Sequence, residues 1–253
     1  MNPHQSNQAF WDASANWWKE KEDHRGLWRK AHENPSLVLG PLEMSFVNNI
    51  EGKEVCVLGS GDNEVAFALV GLGGRVTSVD FSQRRLDIAA NRASQLGLQL
   101  SFLQADVTDL SALTCSSFNL VYTGGHVSVW VADIEKYYSE AVRILKSRGI
   151  FLVSEYHPIR RMWTDANGKE NSCYNYLNRG PYEYRSDEGL PTFEYHWTVS
   201  DHVQSVVDAG CELVKVEEHD LQIEDEHWLE VNLNNFPSTL IVVGRKKTVN
   251  SDI

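Results

Sequence analysis

Glu54-Val55-Cys56-Val57-Leu58-Gly59-Ser60-Gly61-Asp62-Asn63 decides how the rest of this chain is read. A short apolar strand runs into a glycine turn, and a helical stretch follows from residue 63. A second strand, Val76-Thr77-Ser78-Val79, ends in Asp80, nineteen positions after Gly61. This is how an open α/β sheet holds a nucleoside: the glycines let backbone approach the ligand, and the carboxylate accepts hydrogen bonds from ribose hydroxyls. A dinucleotide site wants Gly-x-Gly-x-x-Gly, with a pyrophosphate resting on the helix N-terminus. Glu64 stands at the third glycine position, and its carboxylate repels a pyrophosphate. The expected ligand is a nucleoside cofactor without one.

Outward from this stretch, strands and helices alternate. Strands are predicted over 54–58, 75–79, 98–104, 117–122 and 149–156, with helices over 63–72, 82–96 and 134–144. Short apolar strands separated by helices indicate a parallel sheet covered on both faces, so the fold class is α/β, Rossmann-like and doubly wound. On the N-terminal side, Phe10/Trp17 and Trp11/Trp18 lie seven apart on one face of a helical layer over 6–32. Pro35-Ser36 opens a second helix to about Asn49. After Pro158, Tyr174, Tyr176, Tyr182, Tyr184, Phe193, Tyr195 and Trp197 recur at period-two spacing around Arg179-Gly180-Pro181, which predicts a β-hairpin insertion. A helix over 199–209 and strands over 213–219 and 238–244 close the chain.

The 253 residues, 42% of them hydrophobic, suffice for one core. One domain is expected, divided into an N-terminal helical lid (1–50), a cofactor-binding core (51–157), an aromatic hairpin over the substrate (158–198) and a C-terminal helix and strand pair (199–247). A net charge of −12, with no basic run longer than Arg245-Lys246-Lys247, gives no footprint for nucleic acid. Cys56, Cys115, Cys173 and Cys211 form no Cys-x-x-Cys pair, the N-terminus has no signal-like region, and no apolar run reaches the roughly 20 residues of a membrane span. A soluble cytoplasmic protein with reduced thiols, monomer or homodimer, is expected.

Val55 to Ala66 resembles the first motif of the class I S-adenosylmethionine-dependent methyltransferases, and the likeness extends from about Phe10 to Lys247. The resemblance implies a seven-stranded, mostly parallel sheet with an antiparallel last strand, and S-adenosylmethionine as cofactor. It places Gly59, Ser60 and Gly61 against the methionine part, Asp80 on the ribose and Phe81 beside the adenine. In Gln104-Ala105-Asp106-Val107 it gives Asp106 the exocyclic amine and Val107 the face of the ring; the other reading of Asp106 is a cap for a turn over 108–113. Two positions depart from the family pattern. Val57 stands where an acidic residue is usual, with Asp62 as a partial substitute, and Asn63 stands where the third glycine is usual. Removing the Asp80 carboxyl is expected to weaken cofactor binding with little change in folding.

The fourth strand ends Tyr122-Thr123-Gly124-Gly125-His126, without the Asn/Asp-Pro-Pro-aromatic motif of enzymes that methylate nucleic-acid amines. Thr123 and Gly124 are expected beside the cofactor, the paired glycines leaving room for a ligand, and His126 overlooks the sulfonium, where an imidazole can take a proton from a hydroxyl or amine. The fifth strand ends Ser154-Glu155-Tyr156-His157-Pro158-Ile159-Arg160-Arg161. Glu155 and His157 point the same way if the strand persists, so that one orients the other. Arg160 or Arg161 can hold a substrate carboxylate, the commoner fate being a surface salt bridge.

Trp11 and Trp18, with Tyr182 and Tyr195 of the hairpin, are read as an aromatic lid, Trp18 toward the cofactor and the others toward substrate; ordinary core packing is the alternative for the tryptophans. The acidic run from Glu217 to Glu226 is read as a solvated loop. The histidines, including His196 and His202, lack zinc-ligand spacing, so no metal is expected. The reaction inferred is methyl transfer to oxygen or nitrogen of a small molecule, a natural product or modified peptide suiting the aromatic lid. The rivals are a nucleotide-sugar or nicotinamide enzyme on a similar sheet and a cofactor-binding protein of methyltransferase ancestry without turnover.

Overall fold

The computed structural model describes residues 2–61, 63–162, 175–186, 189–219 and 236–248. Its first helix, α1 (Pro3–Arg25), opens on a capping box in which the Asn2 side chain accepts from the His4 N–H and Gln5 reaches back to Asn2. It ends at Gly26, in the left-handed conformation at φ 69°, so the helical layer expected to residue 32 stops earlier and continues as a 3-10 turn over Leu27–Arg29. The helix expected from Pro35 is likewise broken. Pro35–Leu37 is a single 3-10 turn, and α2 (Pro41–Val47) starts afresh because Pro41 has no N–H to continue a helix and disfavours helical backbone at Gly40.

The alternating part follows as β1 (Glu54–Leu58), α3 (Glu64–Gly71), β2 (Arg75–Asp80), α4 (Gln83–Leu96), β3 (Ser101–Gln104), β4 (Phe118–Gly124), α5 (Ile134–Ile144) and β5 (Leu145–Tyr156). β3 begins three residues later than predicted because Gly97 caps α4 at φ 67° and the Leu98 N–H still bonds back to the Ala93 carbonyl. The hairpin strands are β6 (Tyr182–Arg185) and β7 (Pro191–Glu194). Arg179-Gly180-Pro181 therefore leads into the hairpin, and its turn lies after Arg185, closed by the Ser186 N–H on the Leu190 carbonyl. α6 (Val199–Asp208), β8 (Cys211–His219) and β9 (Thr239–Lys246) complete the order.

The main sheet runs β3-β2-β1-β4-β5-β9-β8, parallel through β5, with β9 inserted antiparallel between β5 and β8. Successive side chains of a strand face opposite ways, and both faces are covered. Cys56 and Leu58 of β1 join Val121, Val153, Tyr137, Tyr138 and Val206 under α5 and α6. Val55 and Val57 join Val76, Leu120, Leu152, Phe67 and Trp28 under α3 and the N-terminal segment. The strand order reverses between β1 and β4, which opens a crevice at their carboxyl ends. Among the described residues, no helix is long and apolar enough to cross a membrane, and no three His, Cys, Asp or Glu side chains are grouped to hold a metal.

Candidate active site

At the crevice, Gly59 turns the chain at φ 61°. A Cβ there would lie 2.4 Å from Val127 Cγ2, so the turn and the loop after β4 pack at a separation only glycine permits. Asn63 adopts φ 66° and caps α3 from the left-handed region that asparagine tolerates. Its amide donates to the Gly61 carbonyl at 2.7 Å and its oxygen accepts from Ser78 Oγ at 3.0 Å. Asn63 thus serves as the turn residue at the usual glycine position. Ser60 Oγ lies 2.6 Å from Ser78 Oγ, tying the turn to β2 rather than presenting its hydroxyl to a ligand. Asp62 lies outside the described residues.

Asp80 is buried at the end of β2, accepting from the Gly61 N–H at 3.0 Å and the Ser82 N–H at 2.8 Å. Burial pushes its carboxyl pKa up, against the lowering by these two bonds and by Arg85. Ser82 caps α4, its Oγ accepting from the Arg85 N–H, as the N-cap preference of serine leads one to expect. Asp106, at the end of β3, accepts from the Thr108 N–H and hydroxyl at 2.8 Å each through Oδ1, and from His4 Nδ1 at 2.5 Å through Oδ2. It makes the local cap and also keeps an oxygen facing α1. Burial raises its pKa and the bonds from His4 and Thr108 outweigh it, holding the carboxyl below the usual range.

One face of α1 crosses these strand ends. Asn7 is fully enclosed, donating to the Trp130 and Phe193 carbonyls and accepting from the Phe193 N–H, and so ties α1 to the β4 loop and to β7. Gln8 donates to the Phe81 carbonyl at 2.7 Å. Trp11 stacks on Trp18 at 5.6 Å and meets Trp130 edge-on at 5.4 Å. The aromatic cluster on α1 thus includes Trp130, which the sequence reading missed. Phe81 and Val107, the apolar pair expected around the adenine, follow the two carboxylates at the ends of β2 and β3.

The ends of β4 and β5 differ from expectation. Thr123 is enclosed in the core, its hydroxyl on Tyr137 and the Leu58 carbonyl, so its side chain does not face the crevice. A Cβ on Gly124 would lie 2.3 Å from the Ser154 carbonyl oxygen: this glycine admits the neighbouring strand and not a ligand. His126 sits at φ 88°, a strained conformation for a non-glycine residue, its ring 4.6 Å from that of Tyr156. Glu155 and His157 do not orient each other. Glu155 is buried, accepting from the His126 and Ser128 N–H groups at 3.1 Å each, with Val127 a further backbone donor. His157 instead pairs its Nε2 with Glu218 at 2.6 Å and accepts from the Ile159 N–H through Nδ1. With Arg160, Tyr195 and His196 these residues line one cleft. Tyr182 stacks on His196 at 4.3 Å and Tyr195 on Trp197 at 6.2 Å.

Glu155 is therefore built to hold the strained loop. Burial pushes its carboxyl up to about 7, against the opposing pull of the backbone donors. Because the folded value lies above the ordinary one of 4.5, protonation contributes stability that is present below pH 4.5 and lost as pH rises through 7. Glu155→Gln is expected to flatten that dependence while spoiling one backbone bond. Urea titrations of both proteins from pH 5 to 8 check this, and parallel curves would refute it.

Arg85 is a functional candidate that the sequence reading passed over. Its Nη2 donates to Glu22 at 2.6 Å, while Nη1 is buried without a hydrogen-bond partner among the described residues. A Cβ on Gly61 would lie 3.4 Å from the same guanidinium. A detectable signal was present: Arg84 and Arg85 occupy the first turn of α4, where the helix dipole disfavours cations.

The fold agrees with comparison to known proteins. Residues 56–153, from β1 into β5, match the family model described as a methyltransferase domain. Over these residues the chain is similar to the methyltransferase family. Among curated relatives, the domain resembles the uncharacterized methyltransferase YbaJ of Bacillus subtilis, 24% identical over 171 residues, or 64% of this chain and 66% of that one. A ubiquinone biosynthesis O-methyltransferase of Nitrosococcus oceani is 26% identical over 108 residues, 42% of each chain. The chain thus spans less than two thirds of these relatives' length. A solved S-adenosylmethionine dependent methyltransferase from Mesorhizobium loti superposes with a TM-score of 0.60 at 22% identity, covering 82% of this chain and 99% of that one, which establishes the methyltransferase fold.

Proposed function

We propose that this protein transfers a methyl group from S-adenosylmethionine to oxygen or nitrogen of a small-molecule acceptor held in the cleft at the ends of β4 and β5. The observation that carries the reading is that Asp80 and Asp106 end adjacent strands beside the glycine turn, beneath one face of α1. The residues fit the cofactor. Asp80 and Asp106 supply acceptors for ribose and amine, Phe81 and Val107 supply apolar surface, and the unpartnered Arg85 Nη1 is a donor for the amino-acid carboxylate. Gly59 and Gly61 supply a half-buried turn without side chains, which lets a ligand approach the backbone. The cofactor contributes an electrophilic methyl group on a sulfonium.

The protein's task is then alignment of the acceptor with that methyl group. His126 is assigned proton acceptance from the acceptor heteroatom, with its backbone fixed by Glu155; Glu155 is a positioning residue. Arg160 binds the acceptor's polar part, and His157, held by Glu218 and the Ile159 N–H, lines the cleft beside it. Tyr182 and Tyr195 cover it, and Trp11 and Trp18 present aromatic faces, which attract cations. A natural product or modified peptide suits this lining.

The test is isothermal titration with S-adenosylmethionine, S-adenosylhomocysteine and NAD, followed by an acceptor screen that reads S-adenosylhomocysteine formation. Micromolar binding of the first two, none of NAD, and product with an acceptor are expected. Binding without product from any acceptor would support a non-catalytic binding protein, and NAD binding alone would overturn the reading. With an acceptor in hand, His126→Ala should lower turnover by about 10²-fold or more while cofactor affinity holds, the usual scale of general-base loss. Unchanged turnover would remove His126 from catalysis.

A further inference from the structure

His4 lies in the first turns of α1, yet both its ring nitrogens are engaged by the crevice. Nδ1 donates to Asp106 Oδ2 at 2.5 Å, and Nε2 accepts from the Ala132 N–H at 2.9 Å. The tautomer is fixed by its partners: a proton on Nδ1 and a lone pair on Nε2 satisfy both contacts. A donor beside an acceptor on a flat heteroaromatic ring is also what the amine-bearing edge of an adenine offers. The carboxylate engaged is the one assigned to that amine, and its other oxygen is already taken by two bonds from Thr108.

We propose that His4 is a built-in competitor for the nucleobase subsite, and that the first turns of α1 must lift from Asp106 before the adenine can bind. The proposal rests on the assignment of Asp106 to the adenine. The two ends of α1 are held in different ways. Toward its C-terminus Glu22 is locked between two buried arginines, Arg85 and Arg92, at 2.6 and 2.7 Å. At the N-terminal end the polar contacts of His4, Asn7 and Gln8 are to the strand-end loops and to β7. A helix pinned at Glu22 and latched by His4 can open at the latched end, exposing Asp106 and the Phe81 carbonyl together, since Gln8 lies one turn beyond His4 on the same face.

The prediction runs opposite to that for an ordinary ligand contact, because removing a competitor raises apparent affinity by the reciprocal of the binding-competent fraction. Adenosine and S-adenosylhomocysteine are titrated into wild type, His4→Ala and His4→Ala combined with Asp106→Asn, and hydrogen exchange is followed over residues 3–12. His4→Ala is expected to bind both ligands about tenfold more tightly and to exchange faster than wild type before ligand is added. Wild type should lose protection over the same residues when adenosine binds. Asp106→Asn added to His4→Ala, where no latch is left to release, should bind more weakly than His4→Ala alone. If that addition weakens binding while His4→Ala binds no more tightly than wild type, His4 is not a competitor although Asp106 holds the base. If Asp106→Asn added to His4→Ala binds no more weakly than His4→Ala alone, the nucleobase assignment fails and the proposal falls with it. Should His4→Ala fold poorly, the exchange of wild type with adenosine decides alone: unchanged or increased protection overturns the lifting step.

Discussion

Glu22→Ala is expected to lower stability by about 3–5 kcal/mol, the range for removing one member of a buried charge cluster. Glu22 divides its carboxylate between Arg85 Nη2 and Arg92 Nη1, and all three side chains are almost wholly enclosed. Arg92 continues to Asp23 at 2.9 Å, and Asp23 in turn accepts from the Trp28 indole N–H. Two desolvated guanidiniums would lose their shared counter-charge at once, Arg92 keeping Asp23 while Arg85 loses the carboxylate it donates to. The loss should show in urea denaturation at neutral pH. Glu22→Leu combined with Arg85→Met and Arg92→Met should recover most of it, because the penalty comes from unpaired charge and not from lost volume. A loss under about 1 kcal/mol for Glu22→Ala would put the cluster in the class of exposed ion pairs.

That cluster was hard to see in the sequence, for a physical reason. Helical periodicity is read from apolar residues, and the face of α1 that meets the core reads His4, Asn7, Gln8, Trp11, Ala15, Trp18 and Glu22. It is buried through hydrogen bonds and ion pairs as much as through apolar contact, so the aromatic pairs were visible and their polar neighbours were not. The strands were legible because β1, β4 and residues 150–153 of β5 are covered on both faces and are nearly continuous apolar runs. The glycines divide in the same way. Gly59 was read correctly as a turn, whereas the reason for Gly124 is a carbonyl on a neighbouring strand, a contact no local pattern reports. Period two placed Glu155 and His157 on one side of β5, but the alternation could not reveal that one carboxylate would be claimed by the backbone of the β4 loop and one imidazole by Glu218 of β8.

Asp80→Ala should separate the two uses of a strand-end carboxylate. From sequence alone the substitution is expected to spare folding; the structure alters that expectation. Asp80 receives the Gly61 N–H and the Ser82 N–H, binding the glycine turn to the start of α4. Each buried donor left without an acceptor costs about 1–3 kcal/mol, so with two donors stability should fall by about 2–6 kcal/mol. Asp80→Asn keeps one acceptor and should recover part of this. Ligand binding is expected to fall further than the stability loss explains: a hydrogen bond to a charged acceptor contributes about 1.5–3 kcal/mol, which is at least about tenfold in the affinity for S-adenosylhomocysteine. Titration at a temperature where each variant remains folded separates the two effects. If affinity is unchanged once folding is accounted for, Asp80 is a latch between β2 and the turn, and the ribose hydroxyls must find their acceptor elsewhere. If both quantities fall, the same carboxylate shapes the turn and binds the ligand.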